Sequence, residues 1–121
     1  MKLINRFLTA LALLCTAGCT NAKNQTVELP DNAVLLDVRS VEEFQSGHLP
    51  GAVNLPLPEI SAKAADRFPD RNVPLYLYCR SGRRSENARR ILQDAGYSNV
   101  HNLGGFEEAG RKLNMKADIQ P

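Results

Sequence analysis

The sequence predicts an α/β domain built on a mainly parallel central sheet with helices on both faces. Three observations lead there. Short runs rich in strand-forming residues alternate along the chain with segments of helical pattern, an order that needs parallel strands joined by helical crossovers. The strand candidates at 33–38 and 73–78 are nearly continuous apolar runs, as expected of strands covered on both faces. Finally, 121 residues, 43% hydrophobic and 23% charged, suffice for one small domain and are too few for two.

The first 22 residues stand outside that domain. Lys2 and Arg6 precede an apolar run at 7–14 that gives way to small residues, which is the order of a secretory signal. That run falls well short of the roughly 20 apolar residues a membrane-spanning helix needs. Thr16-Ala17-Gly18-Cys19 is similar to a bacterial lipobox, with Thr where the motif prefers Leu, and makes Cys19 a candidate lipidation site. Alternatively, Thr20-Asn21-Ala22 offers small residues to an ordinary signal peptidase and would release a soluble chain starting at Lys23. Both readings place the protein outside the reducing cytosol, in the periplasm, touching membrane only through a lipid anchor if Cys19 carries one. Fifteen Lys and Arg against thirteen Asp and Glu give a formal charge of +2, but Lys2 and Arg6 supply that excess, and beyond them cations and acids balance. No nucleic-acid partner is expected on electrostatic grounds.

Residues 23–32 read as a linker and 33–113 as the domain. The run at 33–38 is a buried strand interrupted by one acid, Asp37. Ser40-Val41-Glu42-Glu43 is a capping box, in which hydroxyl and carboxylate each satisfy a free backbone N–H, and it starts a short helix ending near Ser46. After the turn cluster at 47–51, residues 52–55 form a short strand that stops at Pro56. Residues 58–67 form a helix with Pro at its start, where a missing N–H costs little. The run at 73–78 is the strongest strand signal in the chain and carries Cys79 at its carboxyl end. From Ser85, Ala88, Ile91, Leu92 and Ala95 recur at helical spacing, and Gly96 supplies a left-handed stop. Residues 100–103 form a strand, Gly104-Gly105 a turn and 106–113 a last helix, leaving 114–121 as an unstructured tail.

Of three cysteines, Cys15 and Cys19 lie in the leader, so the body has a single thiol, Cys79, and no disulfide framework. An open parallel sheet binds its ligands beyond the carboxyl ends of its strands. Cys79 sits there, followed by Arg80-Ser81-Gly82-Arg83-Arg84-Ser85, a strand-to-helix loop whose successive N–H groups can converge on one sulfur. That field, with three arginines, favours thiolate over thiol and can hold a negatively charged adduct. Gly82 permits the tight turn. Arg89 and Arg90 lie on the outer helix face and are assigned no chemistry. His48 and His101 lack the partners of a Cys–His protease and are read as structural. One body thiol without clustered histidines leaves no metal site, and no cofactor motif is present.

Two chemistries use such a loop. Cysteine-dependent phosphatases separate Cys from a phosphate-clamping Arg by five residues, which puts Ser85 where that Arg is needed and Arg84 one residue early. A tighter ring suits a sulfur atom better than a tetrahedral phosphate.

Leu36-Asp37-Val38-Arg39, Glu43-Phe44 and the stretch from Gly47 to Pro56, together with the Cys79 loop and Gly96-Tyr97, Val100 and Gly104-Gly105, resemble the signatures of single-domain rhodaneses, the thiosulfate sulfurtransferases, of the small exported bacterial kind. One departure is Gly110, near where family members often carry Trp. The resemblance implies a rhodanese-like fold without cofactor. It further implies that Cys79 takes the outer sulfur of thiosulfate as a persulfide and passes it to a thiophilic acceptor such as cyanide or a thiol. Arg80, Ser81, Gly82, Arg83, Arg84 and Ser85 would bind donor and persulfide, with Asp37 and Arg39 in support. The alternatives are a non-catalytic anion- or persulfide-binding module for an exported partner and, third, a Cys-dependent phosphatase.

Overall fold

In the computed structural model, which describes residues 26–117, four parallel strands form one sheet in the order β2-β1-β3-β4. The elements follow the chain as β1 (Val34–Asp37), α1 (Val41–Gln45), β2 (Val53–Asn54), α2 (Leu57–Arg67), β3 (Leu75–Cys79), α3 (Arg83–Asp94), β4 (Val100–Gly105) and α4 (Phe106–Leu113). Residues 1–25, which include the predicted signal with Cys15 and Cys19, and residues 118–121 lie outside the described residues.

Side-chain alternation along the strands divides the core in two. Leu75, Leu77 and Cys79 of β3, with Leu36 of β1, pack against Ile60 and Ala64 of α2 and Ala88 and Leu92 of α3. Leu35 and Tyr78 point the other way, onto Leu49 and onto Ala109, Phe106 and Leu113 of α4. The predicted two-faced cover is therefore present, and every predicted element exists. From β1 the chain runs through α1 to β2 on one side and then through α2 to β3 on the other. The carboxyl ends of β1 and β3 thus flank the point where the order reverses, and this is where Cys79 lies.

Three expectations are corrected. Gly104-Gly105 is not a turn but the end of β4: the ladder slips between Leu77 and Tyr78, so that Tyr78 pairs with Gly104 and Cys79 with Gly105. One extra residue in β4, Leu103, makes this bulge. The linker is anchored in its described part, because Val27 N donates to Lys112 O at 2.7 Å and Val27 and Leu29 pack on the α4 side of the core. The tail likewise starts ordered. Asn114 takes a left-handed φ of 57°, Met115 N donates to Gly110 O at 2.8 Å, and Met115 joins the same cluster.

Two helices start earlier than predicted. Helix α2 begins at Leu57 with Pro58 in its first turn. Helix α3 begins at Arg83, directly after Gly82 with φ 98°, and ends before the predicted Gly96 stop, which has φ 100° and leaves Ala95 exposed. The earlier start of α3 carries its buried stripe from Leu92 and Ala88 back to Ser85, which is 0% exposed. Helical spacing therefore turns the Ser85 hydroxyl inward, toward the end of β3.

Candidate active site

Cys79 is the last residue of β3 and is 0% exposed. Its Sγ accepts from Gly82 N at 3.0 Å and from Ser85 N at 3.4 Å, and the Ser85 hydroxyl oxygen lies 3.4 Å away. Burial pushes the thiol pKa up, but the hydroxyl and amide of Ser85 with the amides of Gly82 and Ser81 pull it down, and the balance lies below the ordinary value. These donors at the amino-terminal end of α3 suit a sulfur bearing negative charge.

The cradle depends on glycines where the loop meets β4. At Gly82 the left-handed φ excludes most side chains, and a Cβ would stand 3.3 Å from Gly104 Cα. At Gly105 a Cβ would stand 2.6 Å from Arg80 O, so only a bare α-carbon lets the loop pass. The chains meet there in a Ser81–Gly105 bridge and a 3.4 Å bond from Phe106 N to Arg80 O. The register slip in β4 is what brings Gly105 beside Cys79.

The predicted arginines do not act as one group. Arg84 donates to both carboxylate oxygens of Glu43, Nη1 to Oε1 at 2.8 Å and Nη2 to Oε2 at 3.0 Å. The Arg84 guanidinium holds Glu43 well below its ordinary value, at about 2. Glu43 also completes the α1 capping box, accepting from Ser40 N at 3.0 Å. Arg80 and Arg83 are exposed, and Arg80 reaches Glu43 only at 3.9 Å. Ser81, also exposed, contributes its amide to the sulfur and lies at the rim. A cleft of about 600 Å³ opens beside the loop, lined in part by Arg39, Arg80, Ser81, Phe106, Glu107 and Arg111.

Asp37 and Arg39 form a buried pair at the end of β1. Arg39 Nη2 donates to Asp37 Oδ2 at 2.7 Å and to Gly47 O at 2.7 Å, while Arg39 Nε donates to Asp37 Oδ1 at 2.9 Å. The guanidinium lies 4.3 Å from the Phe106 ring centroid. This pair ties the end of β1 to the loop after α1 and to α4. His48 bonds Phe44 O at 2.8 Å and stacks on the Phe44 ring, while His101 is exposed against Asn99 and Tyr76.

Sequence reasoning missed two participants. Glu43 was visible as a helix cap, but its pairing with Arg84 spans 41 residues and has no local signal. Asn102 on β4 accepts the Ser85 hydroxyl at 2.7 Å, accepts Gly104 N at 2.9 Å and donates to Gly82 O at 3.2 Å. An Asn in a short strand two residues before a glycine pair carries no signal of its own.

The chain is similar to known proteins in sequence and in fold. The family model described as Rhodanese-like domain matches residues 21–112. The chain is similar to the thiosulfate sulfurtransferase PspE of Escherichia coli (strain K12), at 41% identity over 73 residues, covering 60% of this chain and 70% of that protein. It is 38% identical over 82 residues to YrkF of Bacillus subtilis (strain 168), covering 68% of this chain but only 43% of that longer relative. Among solved structures, a rhodanese with anions from E. coli superposes with a TM-score of 0.65 at 35% identity, covering 73% of this chain and 99% of that one.

Proposed function

Because the chain belongs to the family of rhodanese-like domains, we propose that it is a sulfurtransferase in which Cys79 carries sulfane sulfur from thiosulfate, or a related donor, to a thiophilic acceptor. The observation that carries this reading is the convergence of Gly82 N, Ser85 N and Ser85 Oγ on one buried sulfur at the start of α3. In the first step the Cys79 thiolate attacks the outer sulfur of thiosulfate. An S–S bond to Cys79 forms, the S–S bond of thiosulfate breaks, and sulfite leaves with the bonding pair. In the second step an acceptor such as cyanide attacks the outer sulfur of the persulfide, forming thiocyanate and returning the thiolate. Both the thiolate and the persulfide of Cys79 are anionic, and the amides of Gly82 and Ser85, already aimed at the sulfur, stabilise them. Arg80 and Arg83 attract the anionic donor from solvent, while Arg84 is held in position by Glu43. Ser85, buried where a phosphatase would carry its clamping Arg, argues against phosphate-ester hydrolysis.

Intact mass spectrometry of the mature protein tests this. Thiosulfate should add the mass of one sulfur atom, cyanide should remove it, and Cys79→Ala should show neither change. Wild-type protein that gains no sulfur while its thiol is free would overturn the reading in favour of a binding module. The same spectra read the amino terminus and decide between cleavage before an acylated Cys19 and cleavage after Ala22.

A further inference from the structure

The Ser85 hydroxyl has one proton and three acceptors within reach: Asn102 Oδ1 at 2.7 Å, Gly82 O at 3.1 Å and Cys79 Sγ at 3.4 Å. The orientation of the Asn102 amide decides which acceptor holds it. Backbone polarity fixes that orientation, because Gly104 N can only donate and meets Oδ1, whereas Gly82 O can only accept and meets Nδ2. An amide oxygen cannot donate, so the 2.7 Å contact requires the serine to give its proton to Asn102. The hydroxyl then presents a lone pair to the sulfur, an arrangement that suits a protonated thiol. For the hydroxyl to join the amides in stabilising an anionic sulfur, the same proton must swing from Asn102 to Sγ.

We propose that Asn102 is a positioning residue of the sulfur-transfer site, withholding the Ser85 proton from Cys79 at rest and yielding it as negative charge builds on the sulfur. The proposal rests on the reading of Cys79 as the reacting atom and adds to it a control on how readily that atom ionises. The charged groups around the site are Arg80 in the loop, Arg84 and Glu86 on α3, Glu43 on α1, Asp37 and Arg39 at the end of β1, and Glu107, Glu108 and Arg111 on α4. Glu86, 3.3 Å from Asn102 Nδ2, is held at about 2 by its hydrogen bond from Arg89, so it stays ionised while Cys79 titrates.

The test is the pH titration of the Cys79 thiolate by its ultraviolet absorbance, as a difference against Cys79→Ala in the full chain. Ser85→Ala removes a donor and should raise the midpoint. Asn102→Ala frees the hydroxyl for the sulfur and should lower the midpoint by roughly half a pH unit to one unit. In a Ser85→Ala background, Asn102→Ala should have no effect, because the proton it controls is gone. A raised midpoint in Asn102→Ala, or a shift that persists without the serine hydroxyl, would overturn the proposal and leave Asn102 a loop fastener. If Asn102→Ala does not fold by circular dichroism, Asn102→Thr, compatible with a strand and too short to reach Ser85, carries the same cycle. No step uses thiosulfate, so failure of sulfur uptake sinks the sulfurtransferase reading while this titration still decides the role of Asn102.

Discussion

Two arginine–carboxylate pairs flank the Cys79 loop with similar local geometry and different surroundings. Arg39 and Asp37 are bonded along the guanidinium edge with side chains 6% and 0% exposed. Arg84 and Glu43 are bonded through both guanidinium ends with side chains 36% and 24% exposed. In the dry pair neither charge has water to fall back on, so each needs the other, and the Gly47 carbonyl and Phe106 ring complete the enclosure. In the wet pair water can replace either partner, and the bond sets posture more than stability. Environment, and not closeness to the cysteine in sequence, decides which arginine is fixed scaffold and which is free to exchange its partner.

The sharpest break in this comparison is Asp37→Ala. It leaves the Arg39 guanidinium buried without its carboxylate and should cost about 3–5 kcal/mol of unfolding free energy, measured by urea denaturation. A loss below about 1 kcal/mol, the range of exposed pairs, would mean that water reaches Arg39 and that the two pairs are alike.

How much of this could be read in the sequence follows the range of the interactions. The capping box, the apolar runs, the Gly96 stop and the cradle from Cys79 to Ser85 are local, and each carries its own pattern. What escaped is set by contacts across the sheet. The slip in β4 that puts Gly105 beside Cys79 is a register, and register depends on both strands. Read alone, Gly104-Gly105 suggests a turn; beside Arg80 O it is the only fit. Asn102 was silent for the same reason, since Gly82, Ser85 and Glu86, three of its four partners, lie on α3 and the loop before it. The three arginines looked alike in sequence because what separates them, Glu43, comes from α1.

Glu43→Gln is the next test of the contrast. Gln keeps an acceptor for Ser40 N and so preserves the helix cap, but it removes the charge that occupies Arg84. Stability should change by less than about 1 kcal/mol, while the apparent KM for thiosulfate should fall as Arg84 gains an uncompensated charge. A rise in KM would show that the clamped posture of Arg84 is the one the donor needs. The wild-type pair also has a defined acid limit. Glu43 is depressed from 4.5 to about 2, so its contribution is complete above the ordinary carboxylate value and is lost as pH falls toward about 2. Glu43→Gln should therefore lose the slope in that acid window, so that its small deficit against wild type is present near neutrality and closes as pH falls toward about 2.

The smallest expected effect belongs to Arg83, which is exposed and makes no ion pair among the described residues. Arg83→Ala should leave stability within about 0.5 kcal/mol of wild type, because it removes no buried contact. Its remaining contribution is the field it projects on an approaching anion, and that field is screened within a Debye length of about 10 Å at 0.1 M salt. The KM for thiosulfate should thus rise at low ionic strength, by roughly twofold, and converge on wild type as salt is added. A loss that persists in high salt would place Arg83 in direct contact with the donor, and the division would then lie within the loop, between an arginine that binds by touch and one that is held by Glu43.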